Sequence, residues 1–86
     1  MYELRIDKQA AKYLKKMDKP TRNRLMGALM ELAKNPFADT SVTRMKGYAS
    51  TFRKRVGDFR IIFEVDQGDL IVLVLKIGSR GDIYKK

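Results

Sequence analysis

Residues 51–65 read TFRKRVGDFRIIFEV, and this stretch decides the fold. Polar and apolar residues alternate on both sides of Gly57-Asp58, so it reads as two strands joined by a tight turn. Glycine enters the positive-φ region that a primed hairpin turn requires. With Gly57 and Asp58 as the loop, Val56 faces Phe59, Arg55 faces Arg60 and Arg53 faces Ile62. Side chains alternate between the two faces of a strand, so Arg53, Arg55 and Arg60 share one face. Like charges directly across a ladder destabilise it. Arg55 set opposite Arg60 therefore points to an anion at that place.

Downstream, Gln67-Gly68 reads as a second tight turn, and Leu70 to Leu75 is an unbroken apolar run. A strand apolar on both faces belongs inside a sheet that helices cover on one side. Pairing Val65 with Leu70 puts Ile62 opposite Leu73 and Arg60 opposite Leu75. The face of Phe59, Ile61, Phe63 and Val65 then takes Leu70, Val72 and Val74, and is the expected core. The other face sets the arginines over an apolar floor of Ile62, Ile71, Leu73 and Leu75. Arg80 and Tyr84 follow the end of this strand, beside the Asp58–Arg60 end of its neighbour. Lys54 breaks the pattern, because its parity turns it toward the covered side. A long stem can reach out from there at an edge strand.

Upstream, Tyr2, Leu4 and Ile6 alternate with Glu3 and Arg5 as a short strand. Asp7 suits a helix N-cap, and Ala10, Tyr13, Leu14 and Met17 follow at helical spacing over residues 8–17. Asp18-Lys19-Pro20 breaks that helix, and Pro20 suits the first turn of the next. Leu25, Ala28, Leu29, Leu32 and Ala33 form its apolar stripe, and Asn35-Pro36 ends it. The short connection makes the pair antiparallel. Residues 36–50 read as irregular, with a basic step at Arg44 and Lys46. The fold class is thus α+β, in the order β-α-α-β-β-β. An N-terminal strand and a helix hairpin precede a three-stranded antiparallel meander, with the helices on one face of a mainly antiparallel sheet.

The chain has 86 residues, enough for one domain over residues 1–86 and near the low end for a self-sufficient core. It has no cysteine and no histidine. Disulfides, thiolate or imidazole metal sites and a histidine general base are excluded, and no cofactor is expected. Nineteen Lys and Arg against ten Asp and Glu give a net charge of +9, which suits a polyanionic partner. No apolar signal region or membrane-length run is present, so a soluble, cytoplasmic protein is expected.

The runs MKGYASTFRKRVGDFRIIFEV and VLVLKIGSRGDIY resemble the RelE/ParE superfamily of type II toxin–antitoxin toxins. The likeness rests on Arg55-Val56-Gly57-Asp58-Phe59-Arg60 at the hairpin and on Gly78, Arg80 and Tyr84. The helix-pair start and the chain length also fit. The resemblance implies one of two activities: RelE-type members cleave mRNA in the ribosomal A site, and ParE-type members poison DNA gyrase. The RelE-type catalytic set falls by resemblance on Arg53, Arg55, Arg60, Arg80 and Tyr84. All five positions are filled by the expected chemical type, which favours the nuclease branch. Arg44, Lys46 and Lys54 are then expected to add RNA contacts. The resemblance also implies a cognate acidic antitoxin, with Ile62, Ile71, Leu73 and Leu75 as its expected contacts. The other expected partners are mRNA and rRNA of the small ribosomal subunit. Neither a membrane nor a homo-oligomer is required. Two departures stand out. Ser79 occupies a position where many relatives have histidine, so any cleavage is histidine-free, and no helix follows Tyr84. A basic RNA-binding module without activity remains the third reading.

Overall fold

The computed structural model describes residues 1–38, 42–45, 47 and 50–79. Its elements run β1 (Glu3–Ile6), α1 (Lys8–Lys16), α2 (Lys19–Lys34), β2 (Val42–Arg44), β3 (Thr51–Val56), β4 (Phe59–Asp66) and β5 (Ile71–Ser79). The five strands form one sheet in the order β1-β5-β4-β3-β2. Only β1 and β5 run parallel; the other neighbours are antiparallel. Both helices lie on one face. Among the described residues no helix is long and apolar enough to cross a membrane.

Local chemistry sets the helix limits. The Asp7 carboxylate accepts the Gln9 backbone N–H at 3.4 Å and opens α1. Asp18 does the same for α2, accepting from the Thr21 backbone N–H at 3.4 Å, with Pro20 in the first turn. The Arg22 guanidinium donates to the Met17 carbonyl at 2.9 Å, which satisfies an acceptor at the end of α1. The spacing of Leu25, Leu29 and Leu32 places all three on the buried side of α2. They cover Phe52, Ile61, Phe63, Val65, Val72, Val74 and Ile77 of the sheet.

Hydrogen bonds from Thr21 hold the Asp18 carboxyl below the usual carboxylate range. A depressed folded-state pKa stabilises the fold fully above the unfolded value, about 3.9 for Asp. That contribution is lost as pH falls through the lower folded value. Asp18→Asn is therefore expected to flatten the acid limb of stability against pH. Urea melts at a series of pH values check this, and parallel acid limbs would contradict it.

The first hairpin forms as its sequence specifies: Arg55 pairs with Arg60, Val56 with Phe59 and Arg53 with Ile62. Three expectations are corrected. First, residues 42–44 are not irregular but pair with β3, Thr43 opposite Arg53. Three residues are too few for alternation to register in sequence, and the partner strand is what orders them. It also makes β3 an interior strand, so Lys54 has no free edge to reach and is 8% exposed on the covered face.

Second, the turn after β4 spans Gln67 to Leu70, because Asp66 pairs with Ile71. Leu70 takes a positive φ of 55° and is 48% exposed, so it leaves the core row. Val65 consequently pairs with Val72, not Leu70.

Third, the register shifts between Ile62 and Phe63, where Phe63 pairs with Val74 but Ile62 with Lys76. Leu75 is the extra residue of a β-bulge. In place of the expected Leu73 and Leu75, Ile62 meets Lys76 and Arg60 meets Gly78. The bulge has a clear physical reason. An unbroken alternation after Val72 and Val74 would bury Lys76 and expose Ile77. The extra residue puts Ile77 in the core, 4% exposed, and turns Lys76 to the uncovered face.

Candidate functional site: an arginine face on the open side of the sheet

Strand parity alone gathers this site. Arg53 and Arg55 from β3 and Arg60 from β4 point away from the helices, while their neighbours Phe52, Ile61 and Phe63 are buried beneath. Arg55 and Arg60 are direct cross-strand partners. Directly opposed Cα atoms lie about 4.5–5.5 Å apart, so the two guanidinium forks can close on one group. Arg60 is half-buried and its Nη1 donates to the Phe59 carbonyl at 3.2 Å. On the other side Arg60 meets Gly78, which brings no side chain to the row. Among the described residues neither Arg55 nor Arg60 forms an ion pair. The nearest acid along β4 on this face is Glu64, past Ile62.

The floor continues away from the hairpin. A groove of about 470 Å³ is lined by Ile71 and Leu73, with Arg5 on one wall and Glu64 and Asp66 on the other. Ile62 is half-buried between groove and arginines, and Leu75 sits in the bulge with no partner on β4. Arg44 on β2 places its guanidinium 5.5 Å from the centre of the Phe52 ring. Lys54 points into the covered side and does not join the arginine face. Lys46, Arg80 and Tyr84 lie outside the described residues. Ser79, which precedes Arg80 in the chain, pairs with Phe59 at the arginine end.

One basic residue escapes the sequence reading, and another, outward on α2 by its spacing, is placed more closely by the structure. Lys76 joins the open face because of the bulge; the signal for it was Ile77, an apolar residue one place out of step. Arg24, on α2, reaches the hairpin tip. An arginine face of this kind, with a half-buried member and no acid in the row, is suited to holding a phosphodiester. Arginine forks match phosphate oxygens bidentately.

Known proteins share this architecture. The family profile described as ParE toxin of type II toxin–antitoxin system, parDE, matches residues 4–84. A relative from Methanocaldococcus jannaschii, assigned as toxin RelE1, is 28% identical over 86 residues, covering 98% of this chain and 96% of its own. Among solved structures, the archaeal RelE–RelB complex of Pyrococcus horikoshii OT3 is similar at TM-score 0.81 and 28% identity. It covers 94% of this chain and 97% of that one. The isolated E. coli RelE toxin superposes at TM-score 0.79 with 22% identity, over 98% of this chain and 92% of its own, a likeness of fold.

Proposed function

The chain belongs to the ParE toxin family of type II toxin–antitoxin systems, and we propose that within it this protein is a RelE-like, ribosome-dependent mRNA endonuclease. The observation that carries this reading is the Arg55–Arg60 pair, set face to face on the open side of the sheet with no carboxylate partner among the described residues.

The chemistry needs no histidine. The 2′-hydroxyl of the substrate attacks the adjacent phosphorus, the bond to the 5′-oxygen breaks, and the products are a cyclic phosphate and a 5′-hydroxyl. The protein's part is to align the attack and stabilise the extra negative charge on the phosphorane. In this reading Arg60 and Arg80 clamp the scissile phosphate, Arg53 and Arg55 hold RNA and balance charge, and Tyr84 orders the substrate. Guanidinium stays protonated, so none of the arginines serves as base. The proton of the 2′-hydroxyl leaves to water or to an RNA group, and the departing 5′-oxygen takes up a proton from water or from an RNA group. Lys46 extends the RNA contact; Lys54 is left out because it is buried, and Arg44 because it pairs with Phe52 and lies over its ring, on the side of the sheet away from the arginines.

The Pyrococcus relative was solved bound to RelB. We carry over an antitoxin partner of acidic character for this chain. It would cover the open face over Ile62, Ile71, Leu73 and Leu75 and block the arginines. Its binding should weaken with salt where charge dominates.

The test is primer extension on a reporter mRNA in a purified translation system with and without the protein. Cuts within codons at the A site are expected. The ParE name of the matching family favours a second reading, gyrase inhibition. Intact mRNA on active ribosomes, together with blocked supercoiling by purified gyrase, would establish that reading instead.

A further inference from the structure

The hairpin tip holds a third guanidinium. Gly57 takes φ +59°, and a Cβ built on it would fall 2.6 Å from Nη2 of Arg24 and 3.2 Å from its Cζ and Nη1. The charged end of Arg24 therefore rests on the bare α-carbon of Gly57. A side chain there would strain the backbone and displace the end of Arg24. Arg24 comes from α2, on the covered side of the sheet. Arg55 and Arg60 stand on the open side, and only the Gly57-Asp58 turn separates the two groups.

Two arginines of α2 have different roles. Arg22 is committed to the Met17 carbonyl at 2.9 Å. Arg24 is exposed and has no ion pair or hydrogen bond among the described residues. Three cations around one turn, with Asp58 as the single acid in it, repel one another unless an anion joins them. The reach from Arg55 to Gly57 is two residues, about 7 Å of extended chain, which is on the scale of one nucleotide step.

We propose that Arg24 binds a phosphate flanking the scissile one, so that a single RNA strand bends round the hairpin tip from the open face to the helical side. The inference rests on the nuclease reading above and adds a second phosphate subsite to it. RNA fits better than an acidic protein segment because the cations lie on both sides of a thin edge. A single strand carries a charge at every residue and can turn that edge. A packed helix about 10–12 Å across covers one face only.

The experiment titrates a short 2′-O-methyl oligoribonucleotide, which cannot be cleaved, into the protein over a salt series, reading fluorescence anisotropy. It compares wild type with Arg24→Gln, Lys34→Gln and an Arg55/Arg60 double alanine. Lys34→Gln removes the same charge at the far end of α2. One phosphate contact on a single strand contributes about 0.7 to the slope of log affinity against log salt. Arg24→Gln is expected to reduce the slope by about that amount and the affinity several-fold, with Lys34→Gln leaving the slope unchanged. Thermal melts confirm that each variant is folded. Equal effects of Arg24→Gln and Lys34→Gln, with binding still dependent on Arg55 and Arg60, would overturn this inference alone. No binding by wild type, or none that depends on Arg55 and Arg60, would overturn the Arg24 subsite, whereas the nuclease reading falls only if primer extension on ribosomes shows no cuts. A polyglutamate peptide that shows the same Arg24 dependence while RNA does not would assign the tip to an acidic polypeptide and overturn the RNA subsite.

Discussion

Arg60→Ala is expected to slow mRNA cutting by about 10²–10³-fold, the usual effect of removing one preorganised donor from developing charge, while the fold survives. The two halves of this expectation have separate causes. Arg60 is half-buried, pinned through the Phe59 carbonyl at 3.2 Å, and set between Arg55 on one strand and the side-chain-free Gly78 on the other. A guanidinium held this way is oriented before the substrate arrives, so its removal is felt mainly in the rate. For stability the sign is reversed. Arg60 opposes a like charge directly across the ladder, and such pairs are unfavourable. Removing it relieves that repulsion, so the melting temperature should stay level or rise slightly. Arg60→Lys keeps the charge and loses the planar fork, and should fall between the two in rate. Cutting rates on ribosomes programmed with a single A-site codon, measured beside thermal melts of the same samples, check both halves. A folded alanine variant that cuts at the wild-type rate would remove Arg60 from the chemistry.

The first hairpin was legible to the residue because its turn is written in the sequence: Gly57-Asp58 fixes both loop length and register. The second was not. Its turn ends at Leu70, a non-glycine at φ 55°, which no turn signature announces. The resulting slip moved the partner of Val65 from Leu70 to Val72, an even number of positions. Face assignments from Ile71 to Val74 therefore survived an incorrect register, while Leu70 left the core. The bulge at Leu75 hides for a different reason. Its neighbours in the run are apolar on both faces, so alternation carries no phase there, and the core's need for Ile77 over Lys76 decides the matter. The arginine face was readable because it depends only on parity within one hairpin. The Arg24–Gly57 contact joins elements far apart in the chain, and no local pattern encodes it.

The same strand carries the largest stability effect expected here. Phe63 is fully buried on β4, pairs with Phe52 and Val74, and stacks on the Phe52 ring at 5.8 Å and 23°. Phe52 in turn meets the edge of Phe37 at 5.5 Å, which ties the segment after α2 to the sheet. Phe63 also sits at the register shift, so it holds β5 in phase just where the bulge loosens it. Phe63→Ala should cost about 3–5 kcal/mol, through lost transfer energy and the cavity left behind. Domains of this size have only about 0.05–0.15 kcal/mol of stability per residue, so the variant loses between about a quarter and all of its stability. With a urea slope of about 1–3 kcal/mol/M, the midpoint should drop by roughly 2 M. Phe63 and Arg60 project from opposite faces of one strand, and this separates their effects. In the Phe63 variant, activity should fall only as the folded fraction falls and recover when the fold is restored by cooling or an osmolyte. Arg60→Ala should show no such rescue. An unchanged urea midpoint in Phe63→Ala would mean that the helix-covered face is not the core that supports the arginines.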